Sequence, residues 1–252
     1  MTAFILLHGF AQTPASWGAV AAALQTEGHR TFVPDLYRQA DRSLPALCAS
    51  VAEVVRKVAT VEGVPVLVGY SMGGRIAAET LGRHPDLPLA GVVLESAGLG
   101  PADETARTAL AERNAAWAGR LRAEGVKAFM DWWETLPLFA TQRELPAETR
   151  AALCAERCTH DAEALAHSLE AWGAHRQATE AETLAALADL RDRGIPLLYL
   201  AGSRDEKYAA VAARAQAAGL PVVIVEGAGH NGHLEAPEAF RKIMTHKLAL
   251  LC

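Results

Sequence analysis

Gly69-Tyr70-Ser71-Met72-Gly73 sets a serine between two glycines, directly after the apolar run Pro65-Val66-Leu67-Val68 and directly before the helical stretch Arg75-Ile76-Ala77-Ala78. A serine on so sharp a strand-to-helix turn sits in a strained backbone, needs small neighbours, and holds its Oγ above the sheet. A serine N-cap with chance glycines would account for the five residues but not for the strand and helix around them. Ser71 therefore reads as a nucleophile, and a serine hydroxyl needs a base. Gly227-Ala228-Gly229-His230-Asn231 follows the run Pro221 to Val225 and frames His230 with glycines; His233 is close enough in sequence to be a rival. His84, His160, His167 and His175 have no such frame and read as solvated surface residues. The imidazole in turn needs an orienting acid. Asp205, in Gly202-Ser203-Arg204-Asp205-Glu206-Lys207, fits that role, while Glu206 is explained by the first turn of the helix it opens. Leu6-Leu7-His8-Gly9-Phe10 ends the first apolar run; the amides of Phe10 and Met72 are expected to form an oxyanion hole, with His8 bracing the loop.

These groups converge only if the runs that carry them lie side by side. Ala3 to Leu7, Arg30 to Pro34, Pro65 to Gly69, Ala90 to Glu95, Pro196 to Ala201 and Pro221 to Val225 read as six strands, rich in Val, Ile and Leu without alternation, as strands covered on both faces are. Helical segments between them predict a mostly parallel α/β sheet flanked by helices, with ligands at the carboxyl ends of the strands. From about Pro101 to Thr179 the rhythm stops, and the chain is rich in Ala, Glu and Arg with helical spacing. A structureless loop of that length would be unusual, so residues 101–179 read as an inserted helical cap, and 1–100 with 180–252 as the core.

Length and composition bound the function. A chain of 252 residues is expected to hold one large core, with room for such an insertion. Apolar residues at 51% against 21% charged exclude disorder, and an aromatic share of 6% leaves Ala, Leu and Val to fill the core. A net charge of −5 provides no basic surface for a row of phosphates, which argues against nucleic acid; a small anionic substrate needs only a few converging arginines. No cationic leader precedes the first strand, and no apolar run approaches the roughly 18 residues of a membrane span, so a cytoplasmic location without membrane attachment is expected. Cys48, Cys154, Cys158 and Cys252 are scattered, encode neither a CxxC redox pair nor a four-ligand zinc site, and read as incidental thiols.

With these residues in view, the chain resembles the α/β-hydrolase superfamily over its whole length, in which the order Ser71, Asp205, His230 is that of the triad. Within it, Gly69 to Arg75 resembles the turn of the menaquinone-pathway 2-succinyl-6-hydroxy-2,4-cyclohexadiene-1-carboxylate (SHCHC) synthases, Gly-Tyr-Ser-hydrophobic-Gly-Gly-Arg. Leu7-His8-Gly9-Phe10 with Trp17, Leu94-Glu95-Ser96-Ala97, Trp133 to Phe139, Asp205 with Lys207, and Gly229-His230-Asn231 with His233-Leu234-Glu235 are similar to the same family. The resemblance implies a lyase that eliminates pyruvate from a succinyl-cyclohexene carboxylate without a cofactor. It implies that Tyr70, Arg75 and Trp133 contact substrate, that Arg157 binds a carboxylate, and that a further cap arginine does so, with Arg113 and Arg107 both open. Guanidinium groups suit bidentate carboxylate pairing, which is how an acidic protein could hold a polyanion. The alternatives are that Arg75 pairs with a nearby carboxylate on its own helix surface, that Arg157 is a solvated cap-helix charge and that Trp133 is plain cap packing. The loop Pro34-Asp35-Leu36-Tyr37-Arg38 and the stretch Ala171 to Gln177 depart from the family pattern. The same triad also fits a carboxylesterase, thioesterase or C–C bond hydrolase, whereas a noncatalytic binding protein of this fold would be expected to lack a triad member.

Overall fold

In the computed structural model, which describes residues 1–38 and 42–244, six strands form one sheet in the order β2-β1-β3-β4-β5-β6 with every pair parallel. The strands are β1 (Ala3–Leu7), β2 (Arg30–Phe32), β3 (Val66–Tyr70), β4 (Gly91–Glu95), β5 (Leu197–Gly202) and β6 (Val222–Val225). Every residue of β1, β3, β4 and β5 is buried, which is why their sequences run apolar without alternation; β2 and β6 are the half-exposed edges. Three strands start one residue after a proline expected to open them. Pro65, Pro196 and Pro221 have no N–H to give to a ladder, yet their carbonyls accept Ala90, Val92 and Tyr199.

Helices cover both faces: α1 (Gly18–Thr26), α2 (Leu44–Glu62), α3 (Met72–Arg83), α4 (Glu104–Trp133), α5 (Ala147–Arg157), α6 (Ala162–Ala171), α7 (Glu180–Asp192) and α8 (Glu206–Ala217), followed by the short α9 (Gly232–Glu235) and α10 (Pro237–Lys242). Successive strand residues point to opposite sides. Ile5, Leu7 and Leu67 join a core with α2, α3, α7 and α8, while Phe4, Leu6 and Val68 join one with Trp17, Val20 and Phe240. Between β4 and β5 the chain is helical, and α4 bends at Gly125, whose φ of 77° a side chain would resist. α4 and α6 pack through a third apolar cluster, including Phe129, Met130, Trp133 and Leu165, that reaches Ala11 at the end of β1. α7 returns to α3 and β5. No helix among the described residues is long and apolar enough to cross a membrane. Cys48 lies in the core, where burial pushes its thiol up to about 11; Cys252 lies outside the described residues.

One approach has no slack. A Cβ on Gly73 would stand 2.2 Å from the Leu7 carbonyl oxygen, a backbone atom that cannot turn aside. Gly73→Ala is expected to cost roughly 3 kcal/mol or more in urea unfolding, and a loss under 1 kcal/mol would mean that β1 and α3 can separate cheaply.

Candidate active site

The parallel register puts the carboxyl ends of β1, β3, β5 and β6 on one edge, and the predicted chemistry gathers there. Ser71 caps α3 with φ 50° and ψ −107°, a left-handed conformation uncommon for a side-chain-bearing residue. The turn closes because a Cβ on Gly69 would lie 2.6 Å from the Gly73 carbonyl oxygen, and one on Gly74 2.6 Å from the Ala97 Cβ. Ser71 Oγ lies 3.0 Å from His230 Nε2, and His230 Nδ1 lies 2.8 Å from Asp205 Oδ2. An ionised carboxylate only accepts, so Nδ1 carries the proton and Nε2 presents its lone pair to the serine hydroxyl. Asp205 is also the N-cap of α8, where Oδ1 accepts the Tyr208 amide at 3.1 Å. Capping and orienting thus use different oxygens of one buried carboxylate. Glu235 holds the His230 loop from outside: its two oxygens accept the Gly229 and Asn231 amides at 2.7 and 3.1 Å. His233, the sequence rival, turns away to Glu95.

Phe10 and Met72 both line the cleft over Ser71. Among the described residues neither amide meets a protein acceptor, and Met72 opens α3, where amides face outward with the positive end of the helix. The Phe10 loop is held by three contacts. Gly9 donates to Gln12 Oε1 at 2.8 Å, Ala11 (φ 53°) donates to Tyr37 Oη at 3.2 Å, and Thr13 donates through amide and hydroxyl to Glu156 of α5. Burial pushes the Tyr37 hydroxyl up to about 12, so it keeps its proton. Buried His8 accepts the Leu36 amide at Nε2 and contacts the Gly9 carbonyl at Nδ1, a brace outside the cleft.

The cleft has a volume of about 270 Å³, with Phe10, Trp117, Trp133, Leu136 and Phe139 among its apolar walls. Arg75, Arg113 and Lys207 enter it, and among the described residues none has a carboxylate within ion-pair distance. Arg75 Nη1 donates to the Trp172 carbonyl at 2.8 Å; Arg113 lies on the Trp117 ring and donates to Asn114 Oδ1. By contrast Arg214, at the rim, is paired with Glu180 at 2.7 Å. Burial lowers the proton affinity of all three unpaired cations; for Lys207 the neighbouring Arg113 charge adds to it.

The remaining expected contacts are sorted by orientation. Trp133 lines the cleft, 4.0 Å from Phe139 between ring centroids. Arg113 lines it too, whereas Arg107 is held by the His175 and Gln177 carbonyls. Tyr70, expected to touch substrate, does not line the cleft: strand alternation turns its ring to the opposite core, against His230 and His233. Arg157 does not line it either. Its guanidinium is buried behind Trp133 and Phe139, bonded to Glu134 Oε1 at 2.6 Å and Gln142 Oε1 at 2.9 Å. Arg157→Ala is therefore expected to cost about 2 kcal/mol of stability in urea unfolding, with little effect on substrate selectivity. A selectivity loss without a stability loss would return Arg157 to the site. Nor are all the histidines solvated: His160 packs on Tyr37, and His175 Nδ1 meets Asn114 at 3.1 Å.

Lys207 is the residue the sequence reading passed over. Its signal in the sequence is weak, because Asp205 and Glu206 beside it already balance the helix dipole; only its place in the cleft marks it.

The model of the alpha/beta hydrolase family matches residues 4–243. The 2-succinyl-6-hydroxy-2,4-cyclohexadiene-1-carboxylate synthase of Serratia proteamaculans is 32% identical, over 94% of this chain and 89% of that one. The chain belongs to the alpha/beta hydrolase family, among the SHCHC synthases. A synthase of the same name from Enterobacter sp. is 33% identical over 98% of this chain and 91% of its own. The solved structure of MenH from S. aureus superposes with a TM-score of 0.88 at 23% identity, covering 99% of this chain and 94% of that chain, which supports the alpha/beta hydrolase fold.

Proposed function

We propose that this alpha/beta hydrolase is an SHCHC synthase, eliminating pyruvate from a succinyl-cyclohexene carboxylate. The observation that carries the reading is the trio Arg75, Arg113 and Lys207, three cations that have no carboxylate partner among the described residues and lie in the cleft that also holds Ser71. Three like charges in a partly desolvated space repel one another, and a polyanionic substrate offsets both costs. An esterase acting on an uncharged substrate has no use for them. In the proposed reaction His230 takes the Ser71 proton, and the serine oxygen removes the substrate α-proton. The electrons of that C–H bond move onto the conjugated carbonyl oxygen, then return to form the new C=C bond as the C–O bond to the enolpyruvyl group breaks, and the His230 imidazolium gives its proton to the departing enolate, which is released as pyruvate. The Phe10 and Met72 amides stabilise the enolate-like oxyanion, and Asp205 stabilises the imidazolium that forms. No step calls on a metal or cofactor.

The test is pyruvate release from the anionic precursor beside hydrolysis of p-nitrophenyl acetate. Pyruvate release far faster than ester cleavage is the expected result; ester cleavage without pyruvate release overturns the lyase in favour of a hydrolase with the same triad. A pH profile adds a second check. Burial and Arg113 lower the Lys207 ammonium from its ordinary value, so its attraction for an anion is complete below that lowered pKa and lost as pH rises through it. The alkaline limb of kcat/KM is expected to move to higher pH in Lys207→Arg, which stays charged. An unmoved limb would show that Lys207 does not set it.

A further inference from the structure

Glu95, the last residue of β4, is 1% exposed and bonds in two directions. Its carbonyl accepts the Ser71 amide at 2.8 Å. Its carboxylate faces the loop that carries His230: Oε1 accepts the His233 amide at 2.9 Å, and Oε2 lies 2.7 Å from His233 Nδ1. One residue thus grips the backbone of the serine turn and the loop of the imidazole. The grip is built tightly. The His233 ring stacks on Trp17 at 3.9 Å between centroids and takes the edge of Tyr70 at 4.9 Å, while its buried Nε2 has no partner among the described residues. A Cβ on Gly232 would stand 3.1 Å from Glu95 Oε1, and Ser96, the next residue of the chain, is held at φ 47°. Burying a carboxylate and an unsatisfied ring nitrogen costs free energy that an apolar pair of similar shape would avoid. Neither residue lines the cleft, so substrate contact does not explain that cost.

We propose that Glu95, acting through His233, is a positioning residue that sets the distance between Ser71 Oγ and His230 Nε2. The proposal rests on the reading of Ser71 as a serine whose oxygen is activated by His230. β4 is a central strand paired on both sides, so the two grips of Glu95 move as one body. A slack of about 1 Å between reacting groups is enough to cost on the order of 10²-fold in rate. If the dyad were only a staple of the core, its loss would lower stability and leave the rate of each folded molecule unchanged.

Phosphonylation of Ser71 by a fluorophosphonate separates the two, because it needs no natural substrate: the serine oxygen bonds phosphorus, fluoride leaves, and the proton passes to His230. Three variants are compared with the parent for Tm and labelling rate. His233→Phe keeps the stacking on Trp17 and Tyr70 but removes the Nδ1 bond; Glu95→Leu removes both side-chain bonds. Glu95→Gln retains both, since its oxygen still accepts the His233 amide and its NH2 donates to Nδ1 of the other tautomer. The expected result is labelling slower by on the order of 10-fold in His233→Phe and 10²-fold in Glu95→Leu, with kcat reduced and KM unchanged, and most of the loss recovered in Glu95→Gln. Parental labelling by folded His233→Phe, or Glu95→Gln as slow as Glu95→Leu, overturns the proposal. Should the first two variants not fold, Glu95→Asp, which withdraws the carboxylate by one methylene, decides it: slow labelling supports positioning and a parental rate overturns it. A wild-type protein that the reagent does not label overturns the reading of an activated Ser71 underneath, an outcome recognisable without any variant.

Discussion

Ser71→Ala, His230→Ala and Asp205→Asn are each expected to lower turnover by about 10⁴-fold or more, because an activated serine, its base and the acid that orients the base act as one unit. The geometry gives each loss its own cause. Without Ser71 Oγ, the Nε2 lone pair 3.0 Å away has no hydroxyl to activate. Without the imidazole, the hydroxyl proton has no acceptor. Asp205→Asn is the subtlest, since asparagine still caps α8 through its oxygen, yet its NH2 facing Nδ1 favours the tautomer that has lost the lone pair at Nε2. Its protein should therefore melt near the parental temperature while turnover collapses. Joining Ser71→Ala to His230→Ala should add little to either alone. Steady-state pyruvate release and thermal melts check all four proteins. Turnover near that of the parent in any folded single variant would remove that residue from the unit.

Arg75→Ala and Arg113→Ala are expected to weaken kcat/KM for the anionic precursor while nearly sparing a neutral acetate ester. Each loses a charge-assisted contact worth about 1.5 to 3 kcal/mol, or roughly 10- to 150-fold. The paired substrates matter most at Arg75, whose guanidinium also holds the Trp172 carbonyl at 2.8 Å and reaches Gln177. If alanine simply loosens that stretch, both substrates suffer together; if a carboxylate loses its partner, only the anion does. Raising ionic strength should weaken the anion more than the ester, though a half-buried contact is screened less than an exposed one. Equal losses on both substrates would overturn the carboxylate reading of these arginines. Arg157→Ala is the internal comparison, because it deletes an arginine of α5 that points elsewhere.

The elements and the Ser71, Asp205 and His230 positions were legible in the chain for a local reason. Central parallel strands are buried on both faces, so they are written as short runs of Val, Ile and Leu, and their carboxyl ends can be marked before any packing is known. Glycines beside Ser71 mark a turn too tight for side chains, another one-dimensional signal, whereas Gly229 beside His230 leaves room for Thr141. Strand ends shifted by a residue where proline supplied an acceptor but no donor, a difference of hydrogen bonding rather than of pattern.

Which way a side chain points was decided by the tertiary structure. Tyr70 adjoins Ser71 in sequence, yet strand alternation sends its ring to the opposite core. Arg157 and Arg113 are both arginines on helices between β4 and β5; the packing of α5 turns one onto Glu134, and the packing of α4 against α6 leaves the other beside Asn114 in the cleft. Lys207 and Glu95 gain their roles from groups far along the chain: Lys207 is buried near the like charge of Arg113, and Glu95 is bonded to His233. Residue type and spacing record what a segment can become and which backbone turns it needs. The direction of a long side chain depends on the rotation of its helix, and that rotation is set by apolar contacts between segments that no local pattern encodes.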